Sequence, residues 1–312
     1  KGIKYANTVI SYIDIPTYKD SSVRNDILGQ AYFHRAYRYY DLVNEFGDVP
    51  AVMKIYDKPK LDFASVKRDA ILQKMKEDLE FAEKWVPEVT DKGTVTKGAV
   101  SHLLTKVNLA LCKFDDAIAS ASHVIDGGTH HLMTQRFGID KNKADKNVIW
   151  DLHRPENKSL AENAEALMLV IDRDNLDGNY DGGISTMRQC VPYFFNNVNT
   201  PLGNKGTVDK QGIEFDLVSQ IGRGIGRVRG TWYSTNSLWT DTTDLRHAPG
   251  NWMRMEDLVY NNPALKGSDS YYGKHLQLYN DNGGILCQDT VRCWTGGYCK
   301  TIHFFPEMQA LC

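Results

Sequence analysis

A chain of 312 residues can build one large domain or two ordinary ones and has ample material for a core. A formal net charge of −2 argues against a dedicated nucleic-acid binder, which normally carries a strong basic excess. The longest apolar run, Ala166 to Ile171, is far too short to cross a bilayer.

In chain order, the first predicted element is a helix from Lys1 to Ile13, with Ile3, Ala6 and Ile10 on one side and Pro16 beyond its end. It opens without a cap, so we expect the natural start to lie upstream. The most informative stretch is LGQAYFHRAYRYYDLVNEFGDVP, from Leu28 to Pro50. There Leu28, Tyr32, Ala36, Tyr39, Val43 and Phe46 recur at spacings of four and three, the buried face of a helix. Arg35, Arg38, Asp41 and Glu45 fall on another face and can pair along it. Gly47 supplies the stop and Pro50 forbids continuation.

A third helix runs from Val66 to Val86, with Ile71, Met75, Leu79, Ala82 and Val86 in one stripe, Ser65 as cap and Pro87 as stop. The fourth, Lys97 to Cys112, follows Thr96 and aligns Val100, Leu104, Val107 and Leu111. The fifth, Phe114 to Asp126, carries Ala117, Ile118, Ala121, Val124 and Ile125 and ends at Gly127-Gly128. Almost nothing separates the last two, so they must fold back as a hairpin, and Ala110, Ala117 and Ala121 permit close approach.

After Gly128 the character changes. Asn147 to His153 (NVIWDLH) and Ala166 to Ile171 (ALMLVI) read as short buried strands. From Asp172 onward the chain is mostly Gly, Asn, Asp and aromatic residues with few periodic runs. Structureless stretches of that length are normally functional or a sign of wrong assignment. The expected fold class is therefore mostly α: a helical scaffold over residues 1–128 and a large loop-rich subdomain with short strands over 129–312.

The string HRAYRYYDLVNEFGDVP closely resembles the helix-and-exit segment of the SusD/RagB family, surface lipoproteins that capture glycans for a partner outer-membrane transporter. KVNLALCKFDDAIASASHVI resembles one loose tetratricopeptide unit, whose period is about 34 residues. WDLHRPENKS, GTWYSTNSLW and DLRHAPGNWMRMEDLVYNN look similar to the later part of the same family. The resemblance implies tetratricopeptide-like repeats bearing a glycan-binding elaboration, with no reaction and no cofactor. It further implies an oligosaccharide or polysaccharide ligand (a peptide in some members) and a SusC-type TonB-dependent transporter as partner. The implied place is the outer surface of the cell outer membrane, held by a lipid-bearing Cys before Lys1. A closing helical repeat is expected after Phe305, and without these pieces some apolar helix faces lack their family partner.

The expected ligand surface is Gly230 to Trp252, which holds Trp232, Tyr233, Trp239 and Trp252 in irregular sequence. Sugars present CH-rich faces that stack on flat rings, while polar side chains take the hydroxyls. Asn236, Asp241, Asp244, Arg246 and Asn251 supply that polar half. The competing view is that the rings fill a loop-rich core. In that case the ligand surface lies elsewhere, around Tyr271, Tyr272 and Trp294 or before Lys1.

Other motifs carry less. Asp177-Gly-Asn179-Tyr-Asp181-Gly182 matches the first half of a calcium loop, but Arg188 stands at its twelfth position, where an acid is required. QIGRGIGRVRG has Gly222, Gly224 and Gly226 in GxGxG spacing without a following GK[ST], and reads as a flexible loop with Arg223, Arg227 and Arg229 on its rim. Four of the six Cys (Cys287, Cys293, Cys299, Cys312) crowd the last 26 positions without metal-ligand spacing. No HExxH or GxSxG appears, so no catalytic or metal residue is singled out. Two alternatives stay open: a helical-repeat scaffold for protein partners, and a glycoside hydrolase with two carboxylates flanking a cleft.

Overall fold

A computed structural model describes residues 1–56, 58–170, 189–195, 197–253, 257–293 and 298–299. The described residues fall into two compact units: residues 1–132 with 164–169, and residues 133–163 with those between 170 and 299.

The first unit is a run of antiparallel helices, α1 (Gly2–Tyr12), α2 (Ser21–Phe46), α3 (Arg68–Trp85), α4 (Lys97–Ala110) and α5 (Phe114–Ile125). Each packs on the next in sequence, so that neighbouring helices bury their apolar stripes against one another. One continuous core forms from Phe33, Ala36, Tyr39 and Val43 of α2, Ile71, Leu72, Met75 and Leu79 of α3, and Val100, Leu103, Leu104 and Val107 of α4. The 3.6-residue pattern thus places the stripes of α3 and α4 and most of that of α2 correctly, whereas in α5 Ala117 is buried and Ile118 and Ile125 are exposed. Phe46 departs from it: on the last residue of α2 it is 65% exposed, and the buried stripe ends at Val43.

Arg35 also departs from expectation. It does not lie on a solvent face with Arg38; it is buried, because α2 is flanked by both α1 and α3 and so buries a wider arc than one stripe. Its guanidinium pairs with Asp78 of α3 at 2.7 Å and donates to Asn7 Oδ1 of α1 at 3.2 Å and to the Met53 carbonyl at 3.0 Å. The chain leaving α2 turns at Gly47, whose φ of 74° suits glycine, and forms a two-residue antiparallel ladder between β1 (Val49–Pro50) and β2 (Ser65–Val66). Ser65 is therefore a strand residue and not the cap of α3. The first N–H of that helix, on Arg68, donates instead to Asp48 Oδ1 at 3.0 Å, a cap from twenty residues away that no local pattern signals.

Thr96 does cap α4: its Oγ1 accepts from the Ala99 N–H at 3.1 Å and its hydroxyl lies 2.7 Å from the Leu167 carbonyl. That contact ties residues 164–169 to the helical unit. Ala166 to Val170 is consequently not a strand; it runs irregularly, with Leu169 buried and Met168 against the helical core, since helices offer it no ladder to join. Between α4 and α5 the turn is closed by the Lys113 N–H on the Asn108 carbonyl (2.9 Å), with Cys112 in the left-handed region at φ 57°.

The second unit contains little regular structure. NVIWDLH is a helical turn, α6 (Val148–His153), and not a strand: Asn147 Oδ1 accepts from the Trp150 N–H at 3.2 Å and starts the turn. A short apolar run does not by itself distinguish the two states, and here the cap decides. A second core gathers Val191, Phe194, Val198, Leu217, Ile221, Leu258, Tyr260, Leu265 and Leu276. Its loops are held by side chains standing in for backbone partners. Buried Asn261 accepts from the Val208 N–H (2.9 Å) and donates to the Val208 carbonyl (3.2 Å), and Asp269 receives both Thr200 (2.7 Å) and Asn204 (2.9 Å). The Asn- and Asp-rich composition therefore supplies this unit's missing ladders.

Candidate functional site

Within the second unit, Trp232 and Tyr233 open a π-helical turn over Tyr233–Ser237, closed by the Leu238 N–H on the Tyr233 carbonyl at 2.9 Å. Such wide turns are rare and recur at functional sites. Thr231 organises it: its Oγ1 accepts from the Ser234 N–H (3.3 Å), and its carbonyl receives the Thr235 N–H (3.0 Å) and the Ser234 hydroxyl (2.9 Å). Asn236 Nδ2 donates back to the Trp232 carbonyl at 3.3 Å. With the polar groups of the turn thus engaged, the rings are left outside: Trp232 is 77% and Tyr233 64% exposed. An exposed indole beside an exposed phenol and an exposed Asn is the combination a sugar platform requires.

The other two rings do something different. Trp252 is only 8% exposed, so it serves packing and not stacking on a ligand, a correction to the expected site. Trp239 lies edge-on to it at 4.9 Å and stacks on His247 at 4.7 Å, with its indole N–H donated to the Ser234 carbonyl at 2.9 Å. His247 was one of several scattered histidines in the sequence, and only the fold places it against both indoles. Asp244 grips Arg246 at 2.6 Å and accepts the Arg246 N–H at 2.9 Å, and these bonds hold its carboxyl below the usual range. Arg246 in turn lies 5.7 Å from the Trp239 ring centre. Asn251 is buried, donating to Asn147 Oδ1 and the Leu245 carbonyl at 2.7 Å each, and is structural. The structure thus separates the predicted residues into an exposed set (Trp232, Tyr233, Asn236) and a knitted cluster (Trp239, Asp244, Arg246, Trp252) behind it in sequence.

Tyr272 is packed edge-on to Phe215 at 5.3 Å and Tyr271 to Tyr260 at 5.9 Å, while Trp294 lies outside the described residues, as does the calcium-like loop at 177–182. Among the described residues no group of three or more His, Cys, Asp or Glu could hold a metal.

The helical unit has its own cleft of about 590 Å³, lined by Glu80, Glu83, Lys84, Lys97, Ser101 and His123 among others. Ser101 donates to Glu83 Oε1 at 2.6 Å, and His123 Nδ1 meets the same oxygen at 3.0 Å. The serine proton therefore goes to the carboxylate and not to the imidazole, which is not the arrangement that activates a nucleophile.

The first unit is thus a mainly α scaffold of successively packed helices, and the second an irregular unit that exposes the rings of Trp232 and Tyr233. Residues 1–109 match the sequence profile of the SusD-like family described as "Starch-binding associating with outer membrane". SusD-like protein P2 of Formosa agariphila is 30% identical over 124 residues, covering 39% of this chain and 24% of the relative. The match to the SusD-like family thus lies in about the first third of the chain, and the chain spans about a quarter of that relative's length. In fold it is similar to surface glycan-binding protein A from Bacteroides thetaiotaomicron in complex with laminarihexaose (TM-score 0.52, 18% identity, 71% of this chain, 41% of the other). It is likewise similar to a SusD superfamily protein from Parabacteroides distasonis (TM-score 0.51, 20% identity, 65% and 41%).

Proposed function

We propose that this protein is a glycan-binding protein of the bacterial cell surface, catalysing no reaction, that captures oligosaccharides and delivers them to a SusC-type TonB-dependent transporter. The observation that carries this reading is the exposed Trp232–Tyr233 pair with Asn236 beside it on one turn. The match of residues 1–109 to the SusD-like family, described as starch-binding and associating with the outer membrane, supports the ligand class and the place of action. The structural neighbour that holds laminarihexaose supports a β-glucan as one sugar to try. Contact through a few rings and hydroxyl bonds gives modest affinity, which suits a step whose ligand must also leave.

The test is a glycan array probed with the intact chain and with Trp232→Ala. Retention of at least one glycan, its loss in the variant, and no release of reducing ends are the expected results. Turnover that depends on one carboxylate would replace this reading with the hydrolase. A second reading, a scaffold for protein partners, draws on one observation: Phe114, Ile118 and Ile125 of α5 are 60%, 65% and 73% exposed. Absence of any glycan signal together with capture of a defined protein partner through those residues would favour it.

A further inference from the structure

The segment Gly222 to Gly230 is an irregular loop with Arg223, Arg227 and Arg229 exposed, but its backbone is pinned. Gly226 N–H donates to the Val191 carbonyl at 2.7 Å and Val228 N–H to the Gln189 carbonyl at 2.9 Å, two rungs of one antiparallel register. From the other side, Arg292 Nε donates to the Ile225 carbonyl at 3.0 Å. The glycines have a steric cause. A Cβ on Gly224 would stand 2.3 Å from the Pro192 carbonyl oxygen, and one on Gly226, at φ 62°, would stand 2.0 Å from the Arg292 carbonyl oxygen. GxGxG here lets backbone lie on backbone; it cradles no phosphate.

The two bonds fix the backbone on either side of Arg227, and Arg292 fixes it one residue before Gly226. Arg227 and Arg229 lie two residues apart at this pinned stretch, both exposed, with exposed Val228 between them. Arg223, by contrast, is held by Asp209 at 2.6 Å, and Arg246 by Asp244. Among the described residues neither Arg227 nor Arg229 is joined to a carboxylate. Three residues on from Arg229 comes Trp232, and a chain of that length spans at most about 11 Å between Cα atoms. Two uncompensated guanidinium groups on a pinned edge thus stand next to the two most exposed aromatic rings of the turn.

We propose that Arg227 and Arg229 are the charge-selecting flank of the aromatic platform, and that its ligand is an anionic glycan carrying uronate carboxylates or sulfate esters. This rests on the glycan-binding reading above and narrows it. Guanidinium groups present fixed forks of N–H donors that match carboxylate and sulfate oxygens, whereas a neutral sugar gains nothing from net positive charge. In a chain whose formal net charge is −2, an unneutralised basic pair beside a ligand surface selects among ligands.

Binding of the intact chain to three probes tests this: an oligogalacturonate, a sulfated galactan oligosaccharide and neutral laminarihexaose. At low salt the expected result is at least one anionic probe held about ten-fold or more tighter than laminarihexaose, weakening as salt is raised. Arg227→Gln/Arg229→Gln should lose that preference and most of the salt dependence, with an unchanged circular dichroism spectrum. The first two probes separate uronate from sulfate as the charged group. Equal or tighter binding of laminarihexaose, unaltered in the double variant but lost in Trp232→Ala, overturns the charge selection and leaves the platform standing. Binding of any probe that survives Trp232→Ala/Tyr233→Ala overturns the platform itself. Failure of both anionic probes to bind overturns the charge selection whatever laminarihexaose does.

Discussion

Arg35 and Asp78 form an ion pair at 2.7 Å with side chains only 3% and 1% exposed, and the same guanidinium reaches Asn7 and the Met53 carbonyl. One charged group therefore fastens α1, α2, α3 and the chain after α2 together. Burial pushes the Asp78 carboxyl above the ordinary range, outweighing the downward pull of Arg35 and Lys74. A pair of this kind contributes little net stability, yet breaking it leaves a charge buried without its partner. Asp78→Asn is expected to cost about 3–5 kcal/mol by denaturant titration. Joint replacement of Arg35 and Asp78 by Met and Leu should recover most of that loss. A single variant within 1 kcal/mol of the parent would show that water reaches the site.

Acid should act on the second unit through Asp140, which accepts the Trp150 indole N–H at 2.8 Å and pairs with Lys143 at 2.8 Å. Lys143 and the indole hold its carboxyl below 3.8, its ordinary value. A carboxyl lowered in the folded state contributes stability above its unfolded value and loses it as pH falls through the folded one. Asp241 and Asp244 have the same sign, Thr243 and Arg246 being their respective partners. Asp78, raised by burial, has the opposite sign and favours folding at low pH. The melting temperature should fall as pH drops below about 4, and Asp140→Asn should flatten that limb. An identical acid profile in the variant would remove Asp140 from the account.

The four rings of the aromatic segment should divide by experiment as they divide by exposure. Trp252→Ala empties a buried site against Trp239 and His247 and should cost about 3–5 kcal/mol of stability. Trp232→Ala should leave folding within about 0.5 kcal/mol while costing about 1–3 kcal/mol of glycan affinity, by analogy with the loss of a stacking ring under a nucleobase. Melting curves paired with calorimetric titration distinguish the two. A destabilising Trp232 variant would place that ring in the core.

Thiol chemistry should follow environment. Cys112 is exposed, whereas Cys293 is buried, its sulfur 2.8 Å from the Tyr193 carbonyl oxygen, and burial pushes its thiol up to about 12. Iodoacetamide at neutral pH should label Cys112 long before Cys293, since only the thiolate reacts. Because Cys112 occupies the left-handed region, Cys112→Gly should also stabilise the α4–α5 hairpin by about 1 kcal/mol. Equal labelling rates, read by peptide mass spectrometry, would contradict the buried position of Cys293.

How much of this was legible depended on how local its cause was. The stripes Ile71–Met75–Leu79 and Val100–Leu104–Val107 and the start of α4 after Thr96 were read correctly because periodicity and helix starts act within one turn. Burial of Arg35, the Asp48 cap on α3 and the stacking of His247 were not, because each partner is supplied by a distant segment. The two apolar runs misread as strands show the same limit: Asn147 makes one a helical turn, and Thr96 holds the other as irregular chain. Trp232 and Trp252 are indistinguishable by local composition, and only tertiary packing sorts platform from core.

The pinned edge at 224–229 has a consequence for divergence among related sequences. Positions 224 and 226 are closed to any side chain by neighbouring carbonyls, while 227 and 229 face outward and carry no packing. Exchanges at the outward positions leave the backbone hydrogen bonds of Gly226 and Val228 untouched, so charge at this surface is free to drift, invert or vanish without a toll on folding. Surface charge and foldability are thereby uncoupled within six consecutive residues.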